Sequence, residues 1–104
     1  MNDLADLGKS ADPSILILTS LIAGPKHGYA IAKDVDDFAG VVLGPGTLYG
    51  ALARLESRAL IQATPSDQRR RPYEITDAGR LAASRQLRAM QSVASAGLSR
   101  LATA

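Results

Sequence analysis

The chain has 104 residues, 46% of them apolar and 21% charged, with a net charge of +2, one histidine and no cysteine. That length holds one domain, and the balance of apolar to charged residues is that of a folded chain rather than a disordered one. Disulfides and thiolate metal sites are excluded, and a lone histidine with no carboxylates gathered near it makes no metal centre.

Residues 1–11 are polar and aperiodic and read as a flexible N-terminal tail. Asp3 and Asp6 stand where a secretion signal would be basic, so the chain reads as cytoplasmic. Asp12-Pro13 opens a helix, with the carboxylate as N-cap and proline at the first helical position, and Gly24-Pro25 ends it. Its apolar stretch, Ile15 to Ile22, is too short to span a membrane. Ile15, Leu16, Ile17 and Leu18 point in nearly every direction, so this helix must be covered on more than one side. The expectation is that Ile15 and Leu18 meet a partner chain.

A second helix begins near His27-Gly28, turns Ile31, Val35 and Phe38 inward, and stops at Gly40. Asp34, Asp36 and Asp37 lie around its outer half. Residues 41–43 form an extended link, and Gly44-Pro45 opens a third helix. There Leu48, Leu52, Leu55 and Ala59 share one face, while Thr47, Tyr49, Gly50, Arg54 and Arg58 fall on the rest, with no acid among them. Two strands, residues 60–64 and 72–76, flank a charged turn carrying Arg69, Arg70 and Arg71.

Thr76 is placed to cap a last helix, with Asp77 favourable at its positive end. Along it Ala83, Leu87, Met90, Ala94, Gly97 and Leu101 alternate spacings of four and three, a heptad-like seam. The seam outruns what three short helices can cover and is read as a dimerisation surface; packing as a fourth helix of a monomer is the alternative. The expected fold is mainly α with some β: a winged helix-turn-helix over residues 12–76 with a two-stranded wing, then a dimerisation helix over residues 77–104.

Charge is divided unevenly. Residues 1–40 carry three lysines and six aspartates; residues 41–104 carry nine arginines against four acids. Arginine suits phosphate and guanine edges. The order helix, strand, basic turn, strand suits double-stranded DNA, with the helix in the major groove and the hairpin along the backbone. Thr47, Tyr49, Gly50 and Arg54 would face the groove; Lys26, His27 and Tyr29 would hold a phosphate at the start of the second helix; Arg69, Arg70 and Arg71 would follow the backbone or minor groove. Packing alternatives are Tyr29 beneath the third helix, Tyr49 on the wing and His27 as a turn residue. Ile15, Leu18, Met90 and Val93 would line either a plain dimer core or an effector pocket. With one histidine and no thiol, no nucleophile–base pair is in sight, so neither an enzyme nor a cofactor is expected. A winged-helix protein-interaction module is the second functional reading.

Several blocks resemble the PadR family of bacterial transcriptional regulators. They are Leu21-Ile-Ala-Gly-Pro-Lys-His-Gly-Tyr-Ala-Ile31, Pro45-Gly-Thr-Leu-Tyr-Gly-Ala-Leu-Ala-Arg-Leu-Glu56, and Leu60-Ile61 followed by the arginine turn and Tyr73-Glu-Ile-Thr-Asp-Ala-Gly79. The resemblance spans about residues 15–80. It implies a winged-helix homodimer that binds operator DNA, usually as a repressor relieved by a small-molecule effector. The short tail is similar to the compact branch with a single C-terminal dimerisation helix. Gly50 stands where the family usually has proline, Gly44 where serine is common, and Pro72 removes a donor from the returning strand. Some compact members hold planar drugs between tryptophans, and this chain has none.

Overall fold

The computed structural model describes residues 12–65 and 71–103. The tail of residues 1–11 and the wing residues Arg69 and Arg70 lie outside them. In chain order the elements are α1 (Pro13–Ile22), α2 (Gly28–Ala39), α3 (Pro45–Ser57), β1 (Ile61–Ala63), β2 (Tyr73–Ile75) and α4 (Asp77–Thr103).

Helix α1 starts as its sequence dictates: the Asp12 carboxylate accepts the Ser14 N–H at 2.9 Å, and Pro13 occupies the first turn. It then runs through the middle of the domain, touching α2, α3, β2 and α4. Ile15, Leu16, Ile17, Leu18 and Leu21 are all buried within this one chain. The expectation that Ile15 and Leu18 face a partner is therefore corrected. The first turns of α4, some 65 residues later, supply the missing cover, with Ala83 fully buried in the same core.

Ile31 and Val35 of α2 are buried as expected, but Phe38 is 47% exposed. It lies on the same helical line as Ile31, seven residues on, so the difference is along the axis: the last turn overshoots the core. Gly40 then ends α2 with φ of 66°, the left-handed conformation that glycine adopts at little cost.

Helix α3 buries Leu48, Ala51, Leu52 and Leu55. Ala59 was expected on that face, yet the helix stops before it. The Leu60 N–H donates to the Leu55 carbonyl at 3.0 Å and the Ala59 N–H to the Glu56 carbonyl at 3.0 Å, the paired bonds of a Schellman turn. Ala59 occupies its left-handed position with φ of 58°. A Cβ in that conformation costs about 1 kcal/mol. Ala59→Gly is expected to raise stability by about that amount, as a higher urea midpoint at unchanged slope.

The strands pair antiparallel, Ile61 with Ile75 and Ala63 with Tyr73, with a third short rung between Lys26 and Tyr73. At the tip end Thr64 donates both its N–H and its hydroxyl to the Pro72 carbonyl. Pro72 has no N–H to return, so the ladder ends there. Thr76 joins hairpin and α4: its hydroxyl donates to the Ala59 carbonyl at 2.7 Å and accepts the Gly79 N–H at 3.1 Å. The α3 turn and the α4 start are thus one hydrogen-bonded unit.

The molecule is long, 57 × 32 × 21 Å, with a radius of gyration of 15.4 Å against about 13 Å for a compact chain of this size. Helix α4 causes this. Its 27 residues extend about 40 Å, and only the stretch up to Leu87 packs on the domain. Among the described residues, no helix is long and apolar enough to cross a membrane, and no group of side chains is set to hold a metal.

Candidate nucleic-acid interface

The surface of α3 opposite its leucines is continuous and exposed. Thr47, Tyr49, Gly50, Arg54 and Arg58 all lie on it, joined by Gly46 and Ala53. Gly46 and Gly50 give this face a low profile: a Cβ at Gly46 would meet nothing within 4 Å, and one at Gly50 only the Arg54 guanidinium at 3.9 Å. The face is not free of acid. Glu56 is exposed and falls on the line of Tyr49, two turns along.

Tyr49 has a second role that its position in the sequence hides. Its ring leans on the start of α2, so close that a Cβ at Gly28 would come within 3.0–3.2 Å of the hydroxyl and ring carbons. Of the two readings of this tyrosine, groove contact and packing, it combines an exposed edge with a packed face; the surface it packs on is α2.

The phenol of Tyr73 is held above its ordinary 10.0, first by partial burial and then by the nearby Glu56 and Tyr49. The folded state favours the neutral phenol, and the unfolded chain ionises first as pH rises. The associated stability is complete below the ordinary value and is lost as pH climbs through the raised one. Urea unfolding of the wild type should therefore weaken on the alkaline side of pH 10, and Tyr73→Phe should remove that part of the decline.

At the start of α2 the three expected phosphate ligands separate. Tyr29 is 72% exposed rather than tucked under α3. His27 takes the N-cap position without donating or accepting a side-chain cap bond, and its buried Nδ1 has no partner. Lys26 turns inward. Its ammonium donates to the Ser20 carbonyl at 2.6 Å and the Gly24 carbonyl at 3.3 Å and lies 4.0 Å from the Asp34 carboxylate, which accepts the buried Ser20 hydroxyl. The expectation that Lys26 reaches out to phosphate is corrected: its charge is consumed in closing the α1–α2 turn. Asp34 is likewise part of that closure, so the outer acids of α2 reduce to Asp36 and Asp37. Sequence periodicity could not reveal either role, since the three partners come from three different segments.

Among the described residues the Lys26–Asp34 pair is the only ion pair, and none of Arg54, Arg58 and Arg71, beside α3 and the wing, has a carboxylate partner among them. Arg71 is exposed at the tip end of the hairpin, just before Pro72.

Helix α4 divides in two. Ala83 is fully buried inside its own domain, which corrects its assignment to a dimer surface, and Leu87 is half-buried against the same core. Met90, Ala94 and Leu101 are exposed, and Val93 and Leu98 flank them, at 74% and 68% exposure. At 100° per residue these five and Gly97 form one apolar stripe on the projecting half.

Comparison with known proteins places this geometry in context. A family model described as the transcriptional regulator PadR-like family matches residues 17–85. An uncharacterized 37.1 kDa protein in transposon TN4556 of Streptomyces fradiae is 43% identical over 82 residues, 79% of this chain; the chain spans only 24% of that protein's length. Among solved structures, a PadR family transcription regulator from Clostridium difficile R20291 superposes with a TM-score of 0.74 at 28% identity, covering 83% of this chain and 94% of its own. Another from Eggerthella lenta DSM 2243 gives 0.73 at 29% identity, covering 94% and 87%.

Proposed function

Since the chain belongs to the PadR-like family of transcriptional regulators, we propose that it binds operator DNA as a homodimer and acts as a repressor. The exposed face of α3, bordered by arginines without carboxylate partners among the described residues, is the observation that carries this reading. Thr47, Gly50 and Arg54 enter the major groove. The low profile at Gly46, Gly50 and Ala53 lets the helix axis approach the base edges, and Arg54 supplies a fork for guanine or phosphate. Tyr49 keeps its ring on Gly28 and offers its outer edge, so the angle between α2 and α3 is set by a residue that also meets DNA. The α2 N-terminus contributes backbone N–H groups with Tyr29 and His27, and Arg69, Arg70 and Arg71 lie along the flanking backbone. The apolar stripe of α4 from Met90 to Leu101 pairs with a second copy and spaces the two α3 helices.

Selection from random duplex DNA at near-physiological salt tests the proposal. Enrichment of an inverted repeat with half-sites about one helical turn apart is expected. The selected duplex should bind with a log–log salt slope between about −5 and −9 if each protomer neutralises about three to five phosphates. A folded dimer that enriches no sequence would favour the second reading, a protein-interaction module. That reading draws on one feature, the exposed Phe38 and Val42 beside Asp36 and Asp37 at the end of α2.

A further inference from the structure

Gly28 is the first residue of α2, and it is buried. The Tyr49 ring lies against it. A Cβ added there would meet the Tyr49 hydroxyl at 3.0 Å and two ring carbons at 3.2 Å, closer than ordinary van der Waals contact. The backbone does not call for glycine at this position, since the positive-φ glycines among the described residues are Gly24 and Gly40. Alanine is also the better helix former. What glycine supplies here is a flat seat for the ring.

The two sides of this contact differ in freedom. The backbone ahead of Gly28 is pinned: Lys26 and Tyr73 exchange N–H···O bonds of 3.1 and 2.9 Å, and the Lys26 ammonium holds the end of α1. The His27 carbonyl accepts the Ile31 N–H at 2.9 Å, which fixes the first turn of α2. Tyr49, by contrast, is 55% exposed, and its hydroxyl is the tip of a rotatable side chain. A methyl at position 28 is therefore relieved by the ring and not by the backbone.

The ring has one place to go. On α3, Tyr49 stands between Gly46, three residues before it, and Ala53, four after, and both are exposed. Turned off α2, it covers the small residues that give the face its low profile. We propose that Gly28 is a positioning residue for DNA recognition: by lacking a side chain it holds the Tyr49 ring against α2 and keeps the α3 face clear for the bases. This role rests on the DNA-binding reading above.

The test begins without DNA. In the wild type, the Tyr49 ring protons should show nuclear Overhauser contacts to the Gly28 α-protons, and Gly28→Ala should move the ring signals at an unchanged or higher urea midpoint. The same variant should bind the selected duplex about tenfold more weakly, the scale of one lost base contact. Tyr49→Ala should weaken binding by itself, and adding Gly28→Ala to it should cost nothing more, because no ring remains to be displaced. Absence of the ring contact in the wild type overturns the proposal. So does Gly28→Ala that binds like the wild type, that loses affinity only in step with its urea midpoint, or that costs as much without the Tyr49 ring as with it. A wild type that shows the ring contact but enriches no duplex overturns the DNA-binding reading, and the role of Gly28 falls with it while the seat stands.

Discussion

Gly79→Ala is expected to lower stability by about 3 kcal/mol, the upper range for forcing one methyl into a packed site. A Cβ at Gly79 would fall on the Leu60 carbonyl oxygen and within 2.7 Å of the Ile75 side chain. Backbone cannot step aside as a side-chain tip can, and this carbonyl is already bound, accepting the Thr76 N–H at 3.1 Å. Relief requires α4 to move away from the α3 turn, which breaks the Thr76 bonds to Ala59 and Gly79. Gly50→Ala is the internal control. On the exposed face of α3, with nothing nearer than 3.9 Å, the same change should stabilise by about 1 kcal/mol through helix propensity alone. Urea melts of both variants decide the matter. If Gly79→Ala melts like the wild type, the close approach of α4 to the Leu60 carbonyl is wrong.

Arg54→Ala combined with Arg71→Ala should weaken binding to the selected operator about a hundredfold near physiological salt, at about 1–3 kcal/mol for each such contact. The salt slope should become shallower by about one for each phosphate contact removed. Both side chains are exposed and unpaired among the described residues, so the melting curve should hardly move. That combination separates an interface from a structural role. Loss of affinity with the slope unchanged would assign the arginines to base reading alone, and no loss would remove them from the DNA surface.

Local chemistry was readable directly. Asp12-Pro13 and Gly44-Pro45 mark helix starts because proline presets φ and gives up an N–H that the first turn does not use. Thr76 caps α4, and the leucine spacing of α3 correctly separates its buried side from its exposed one. Each of these signals acts within about four residues, so the chain's own order contains it. The family blocks and the winged-helix order were legible for the same reason, as contiguous stretches.

Other features depend on segments far apart in the chain. An all-apolar α1 does not say what covers it; the start of α4 does, and that is why Ile15 and Leu18 lie in the protomer core. Phe38 has the same periodicity as Ile31 but lies beyond the end of the packed bundle. Lys26 looks like a free cation until Ser20, Gly24 and Asp34 converge on it. Tyr49 gains its seat on Gly28 only when α2 and α3 cross, and Ala59 leaves the leucine face because a Schellman turn must place its left-handed residue there. Caps and periodicity are properties of short sequence, whereas cover, reach and closure follow from distances that exist only after the helices have packed.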